Sequence, residues 1–132
     1  LIDPLGSTMD VRKNGAMDQF TSPIFDLGKL MQSTVSKYES WAYLDNKAID
    51  LFIRNFSLEE EYEQIENNLK DSNVLFDFYS NYIDSDIKLD GLFALAQTLI
   101  RVAPYRFRAN YHHSGLLCLL KSYSIFTYIQ NS

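Results

Sequence analysis

One cysteine, two histidines, three prolines and five glycines among 132 residues exclude much of reactive side-chain chemistry. Cys118 has no second cysteine to pair with, so the chain is not a disulfide-stapled scaffold. The thiol lies in the apolar run from Leu116 to Leu120, where a small hydrophobe is normally buried, and this predicts a reducing, intracellular setting. The histidines are the neighbours His112 and His113, whose side chains diverge on a helix or a strand and so cannot share one ion. There is no Cys-x-x-Cys pair, no His-Glu-x-x-His, no glycine-rich phosphate loop and no Gly-x-Ser-x-Gly elbow. Covalent and metal-dependent mechanisms need several such groups converging. The expectation is therefore a non-catalytic protein with no catalytic residue, no metal and no cofactor.

Uninterrupted apolar runs are also short. None approaches the roughly 18 residues that a bilayer-spanning helix needs, and Gly115 to Ile129 is broken by Lys121 and by hydroxyl residues. The first residues, Leu1 to Thr8, lack the basic-then-apolar order of a signal peptide. Residues 1–19 are set aside as a flexible N-terminal segment, and 20–132 are read as a single helical domain. The first residues fit a cloning remnant with either Met9 or Met17 as the original start, so that 1–16 are left open as native or not.

What is present is apolar and aromatic. An apolar content of 46%, with nine Tyr and nine Phe, supports a packed core in one domain of this length. Leu27, Leu30, Met31, Val35, Tyr38, Trp41 and Ala42 recur at three and four after Ser22-Pro23, which predicts one amphipathic helix ending near Asp45-Asn46. A dense apolar piece, Ala48 to Phe56, reads as a short helix. Ser57-Leu58-Glu59-Glu60 has the form of a capping box, and Leu58, Tyr62, Ile65 and Leu69 make one stripe behind it, with Glu59, Glu63 and Glu66 facing away. Leu75, Phe78, Tyr79 and Tyr82 continue a helical period.

The alternating acids Asp84, Asp86 and Asp90 suggest a calcium loop. The positions that would need an oxygen ligand, glycine and glutamate are Lys88, Leu89 and Leu95, so they read instead as helix-capping acids.

The next helix, about Ile87 to Ala103, is apolar around most of its circumference and is expected to stop at Pro104. The last, about Ser114 to Gln130, has Lys121 as its only charge. The fold expected is all-α, a compact bundle of about five helices with an apolar C-terminal helix near the centre. Such a bundle encloses one helix fully. Two all-round apolar helices either pack together at its middle or leave an apolar face that binds another protein or a second copy. Leu92, Phe93, Leu99, Tyr123 and Phe126 are the candidate partner-binding residues.

Charge is uneven as well. The net charge is −5, yet Arg101, Arg106, Arg108 and Lys121 are the only charged residues after Asp90. The segment from Arg101 to His113 interleaves cations with Tyr105, Phe107 and Tyr111, a pattern that suits single-stranded nucleic acid or another anionic ligand. Arg101, Arg106 and Arg108 are the candidate anion-binding residues. Three arginines are few against an acidic whole, so pairing of this cluster with the glutamates of Glu59 to Glu66 is the favoured expectation, and nucleic acid ranks below a protein partner.

Overall fold

Three helices begin at a short polar side chain that accepts from a free backbone N–H of the first turn. The Asp45 carboxylate takes the amide of Ala48 at 2.8 Å, the Ser57 hydroxyl that of Glu60 at 3.3 Å, and the Asp86 carboxylate that of Leu89 at 3.3 Å. The computed structural model describes residues 22–132, and the expectations for 1–19 lie outside them. Within this range the chain is all-helical. The helices are α1 (Pro23–Thr34), α2 (Tyr38–Trp41), α3 (Asn46–Arg54), α4 (Leu58–Lys70), α5 (Asn73–Tyr79), α6 (Ile87–Arg108) and α7 (His112–Gln130).

Seven described helices replace the five expected, chiefly because the single helix expected over 23–42 is broken. Val35 and Ser36 both donate their amides to the Met31 carbonyl, and Lys37 takes a left-handed conformation at φ 54°. The carbonyls released by this turn are taken by side chains. Asn68 of α4 donates to Val35 at 2.8 Å, and the Trp41 indole donates to Ser36 at 2.7 Å. Beyond the turn Trp41 and Ala42 are buried in the core.

The second correction concerns Pro104. It lies inside α6, which runs on to Arg108. A proline leaves the carbonyl four residues earlier without its helical donor and crowds it. Here that carbonyl belongs to Ile100, and both residues are on the exposed side of the helix, where water can take the carbonyl. Contacts beyond the proline hold the last turn in place. Gly115 of α7 is so close to Phe107 that a Cβ there would meet its ring at 2.9 Å, and Arg106 bonds Tyr38.

α6 and α7 form an antiparallel hairpin and make the most extensive pairing in the fold. Their register is set by Gly115 against Phe107, by the Ser122 hydroxyl donating to the Ala96 carbonyl at 3.0 Å, and by the Phe93 and Phe126 rings. On α6 the row Leu92, Ala96, Leu99 and Ala103 faces α7. The row Gly91, Ala94 and Leu95 faces α1, and Gly28 lets that helix approach Ala94 at backbone distance. On α7 the row Leu117, Lys121 and Ser124 faces α3 and α4. Leu27, Met31, Ile49, Leu92, Leu95, Leu99, Leu117 and Cys118 are fully buried at the junction of these rows. The hairpin is thus covered on one side by α1, α3 and α4. Neither long helix is enclosed all round, which corrects the expected central position of the C-terminal helix.

Candidate functional site

Three places combine geometry with chemistry. The first is the outer side of the hairpin. Phe93 and Ile100 on α6, seven residues apart, and Leu116, Leu119 and Tyr123 on α7 form rows pointing away from the covering helices. Each of these side chains is between 41% and 52% exposed. The rows are joined at one end by the half-buried Phe126, whose ring meets that of Phe93 edge-on at 5.7 Å and 69°. Of the expected partner-binding residues, Phe93, Tyr123 and Phe126 therefore lie on this face. Leu92 and Leu99 have no exposed surface and belong to the core between the helices, which removes them from a contact surface. One residue, a rotation of about 100°, separates the two sets, and an all-apolar helix gives no sequence signal for which row points inward. Ile100, Leu116 and Leu119 are the face residues that sequence reasoning missed for that reason. A shorter exposed stripe, Val74, Phe78 and Tyr82, follows α5, with the Phe78 and Tyr82 rings 5.7 Å apart.

The second place is the basic and aromatic end. Arg106 is held rather than offered. Its Nε donates to the Tyr38 hydroxyl at 3.1 Å, and its guanidinium lies 4.4 Å from the ring centre of Tyr43, with Tyr38 and Tyr111 further out. Burial of the Tyr38 phenol pushes its pKa up, against the pull of Arg106. Arg108 lies over Tyr105 at 4.6 Å and is exposed, as is Arg101. Among the described residues none of the three arginines makes an ion pair, and none reaches the glutamates of α4. The expected internal pairing is thereby overturned. Its physical reason is placement: α4 packs against α7, whereas the arginines lie on or beyond the far half of α6. His113 Nε2 lies 3.1 Å from Asp50 of α3, and His112 tilts over Phe107, so the two histidines do diverge.

The third place was not expected. Glu61 is buried and its carboxylate takes both oxygens to Lys121 Nζ, at 3.1 and 3.4 Å. The lysine ammonium also lies 4.7 Å from the Phe52 ring centre and 5.9 Å from that of Trp41. The pair lines a cavity of about 310 Å³ between α2, α3, α4 and α7, with Lys37, Gln64 and Asn68 on its walls. Its signal was in the spacing. Glu61 precedes Ile65 and Leu69 by four and eight, and Lys121 stands four after Leu117 and four before Ile125, so each charge occupies the buried row of its helix.

The remaining reactive group is inert. Burial pushes the Cys118 thiol up to about 11, so it is protonated at neutral pH. Among the described residues no group of three or more His, Cys, Asp or Glu side chains could hold a metal ion, and no helix is long and apolar enough to cross a membrane. Comparison with protein-family models, with curated proteins and with solved structures found no match.

Proposed function

We propose that this is a non-catalytic protein-interaction or regulatory domain that binds another protein through the outer face of the α6–α7 hairpin. The observation that carries the reading is the row of half-exposed Phe93, Ile100, Leu116, Leu119 and Tyr123, on helices whose other rows already fill the core. Half-exposed side chains of this size leave on the order of 100 Å² each, so the face approaches the largest apolar patch usual on a monomer. The buried, protonated thiol of Cys118 is consistent with a reducing, intracellular setting. The test pairs an exposed with a buried substitution. Phe93→Glu together with Leu119→Glu should retain the helical spectrum and melting temperature while lowering binding of an apolar dye and abolishing association. Leu99→Glu should unfold the domain. A parent protein that stays monomeric in light scattering at high concentration and binds neither dye nor peptide would overturn the reading.

A second reading is binding of nucleic acid or another anionic ligand at the basic end. What favours it is the exposure of Tyr105 beside the exposed Arg108, and of Tyr43 and Tyr111 beside Arg106, because exposed rings beside cations stack bases. It ranks second because Arg106 is committed to Tyr38 and Tyr43. Retention of a short single-stranded oligonucleotide, weakening steeply with salt, is its expected signature.

A further inference from the structure

We propose that the occupant of the hairpin's outer face is an acidic amphipathic helix of another protein, lying lengthwise between α6 and α7. This inference rests on the reading that the face binds protein, and adds the chemistry of the partner. Two antiparallel helices with large side chains on their outer rows leave a shallow groove between them, the form that receives a third helix through anchors spaced by three, four and seven. From Phe93 to Pro104 the face runs about three turns, roughly 16 Å, which one helix of ordinary length covers.

Charge selects the sign of that helix. Gln97, Arg101 and Arg108 follow Phe93 along one flank of α6 at spacings of four, four and seven, so both arginines border the apolar row. Both are exposed, and neither is in an ion pair among the described residues. The exposed His112 begins α7 at the same end. The other two cations of this region point elsewhere, Arg106 to Tyr38 and Lys121 to Glu61. Asp90 is the one acid on the flank, and it lies at the opposite end, before Phe93. A partner with carboxylates along its edge would complete Arg101 and Arg108. A second copy would not, because its own face brings the same cations and only the single Asp90 on its flank, too few carboxylates to complete both arginines. Area points the same way. An apolar patch on the order of 500 Å² with a polar rim suits one docked helix, and falls short of what an obligate homodimer buries.

The test uses two synthetic amphipathic peptides of about 18 residues with the same Leu and Phe face, one flanked by Glu and the other by Lys. Fluorescence anisotropy at low salt should show the acidic peptide binding about tenfold more tightly, with the gap closing as salt rises. Arg101→Gln with Arg108→Gln should remove most of that gap and leave the weak binding of the basic peptide unchanged. Phe93→Glu with Leu119→Glu should abolish binding of both. Equal affinity for the two peptides, or an undiminished gap in the arginine variant, would overturn the acidic partner while leaving a protein-binding face. Self-association that excludes both peptides would likewise overturn it in favour of a second copy. An oligonucleotide that displaces the acidic peptide through Arg101 and Arg108 would overturn it in favour of nucleic acid. If no peptide binds and the protein stays monomeric, both this inference and the reading beneath it fail.

Discussion

Removing the lysine of the Glu61–Lys121 pair isolates the more buried of the two ion pairs among the described residues. Lys121→Met keeps an unbranched chain against Phe52 but leaves the Glu61 carboxylate without its donor. Breaking one side of a fully buried pair costs roughly 3–5 kcal/mol, most of it from the uncompensated charge. The side chains of Lys121 and Glu61 retain 18% and 10% of their exposure, and a cavity of about 310 Å³ opens beside them, so water can reach the orphaned group. The expected loss is therefore about 1–3 kcal/mol, or a fall in melting temperature on the order of 4–12 °C for a domain of this size. Glu61→Gln should cost a similar amount by stranding the ammonium. The double variant should cost clearly less than the sum, with a coupling of about 1–2 kcal/mol in urea denaturation followed by circular dichroism. The contact of the ammonium with the Phe52 ring is lost in both Lys121 variants and cancels from the cycle. Single losses below about 0.5 kcal/mol that simply add would show that the pair behaves as an exposed one, and would refute the account of α4 docking on α7.

Gly28→Ala should destabilise by about 1–3 kcal/mol in thermal melts despite the better helix propensity of alanine, because the added Cβ would meet Ala94 Cβ at 2.7 Å and its backbone carbon at 3.0 Å. Cys118 should resist a thiol reagent at pH 8 in the folded protein and react at once in denaturant. Its folded pKa lies above the unfolded value, so stability should fall as pH rises from about 9 towards 11, when only the unfolded thiol ionises. Arg106→Gln should cost about 1–2 kcal/mol through loss of the tyrosine contacts, whereas Arg108→Gln should change stability by less than about 0.5 kcal/mol, and equal costs in denaturant titrations would contradict the placement of the two residues.

How much of this was legible depends on whether a residue's role is set by its neighbours in sequence or by distant ones. The caps at Ser57 and Asp86 were readable because a serine or aspartate and the amide it serves are three residues apart. The stripe ending in Ile65 and Leu69 was readable because polar residues on the other side of α4 mark its face. Pro104 and the 35–37 turn were misread for the opposite reason. Each is decided by groups far along the chain, Tyr38 for the end of α6, and Asn68 for the carbonyl of Val35. The exposed row of the hairpin lies between these cases. A surplus of apolar residues in α6 and α7 was visible from composition, but a helix with no polar face has no internal reference for direction, so Leu99 and Ile100 were indistinguishable until a partner helix fixed which one turns inward. The buried charges supply the reference that the apolar residues lack. Lys121 points towards Glu61, the one buried acid among the described residues, and once α4 takes that side of α7, Leu119 and Tyr123 are left facing outward. The ion pair that holds α4 on the hairpin thereby acts with Ser122 and Gly115, which turn towards α6, in fixing which face of the hairpin is exposed. A variant that lets α7 rotate, such as Lys121→Met, should weaken binding at the outer face as well as stability, although no atom of Lys121 lies on that face.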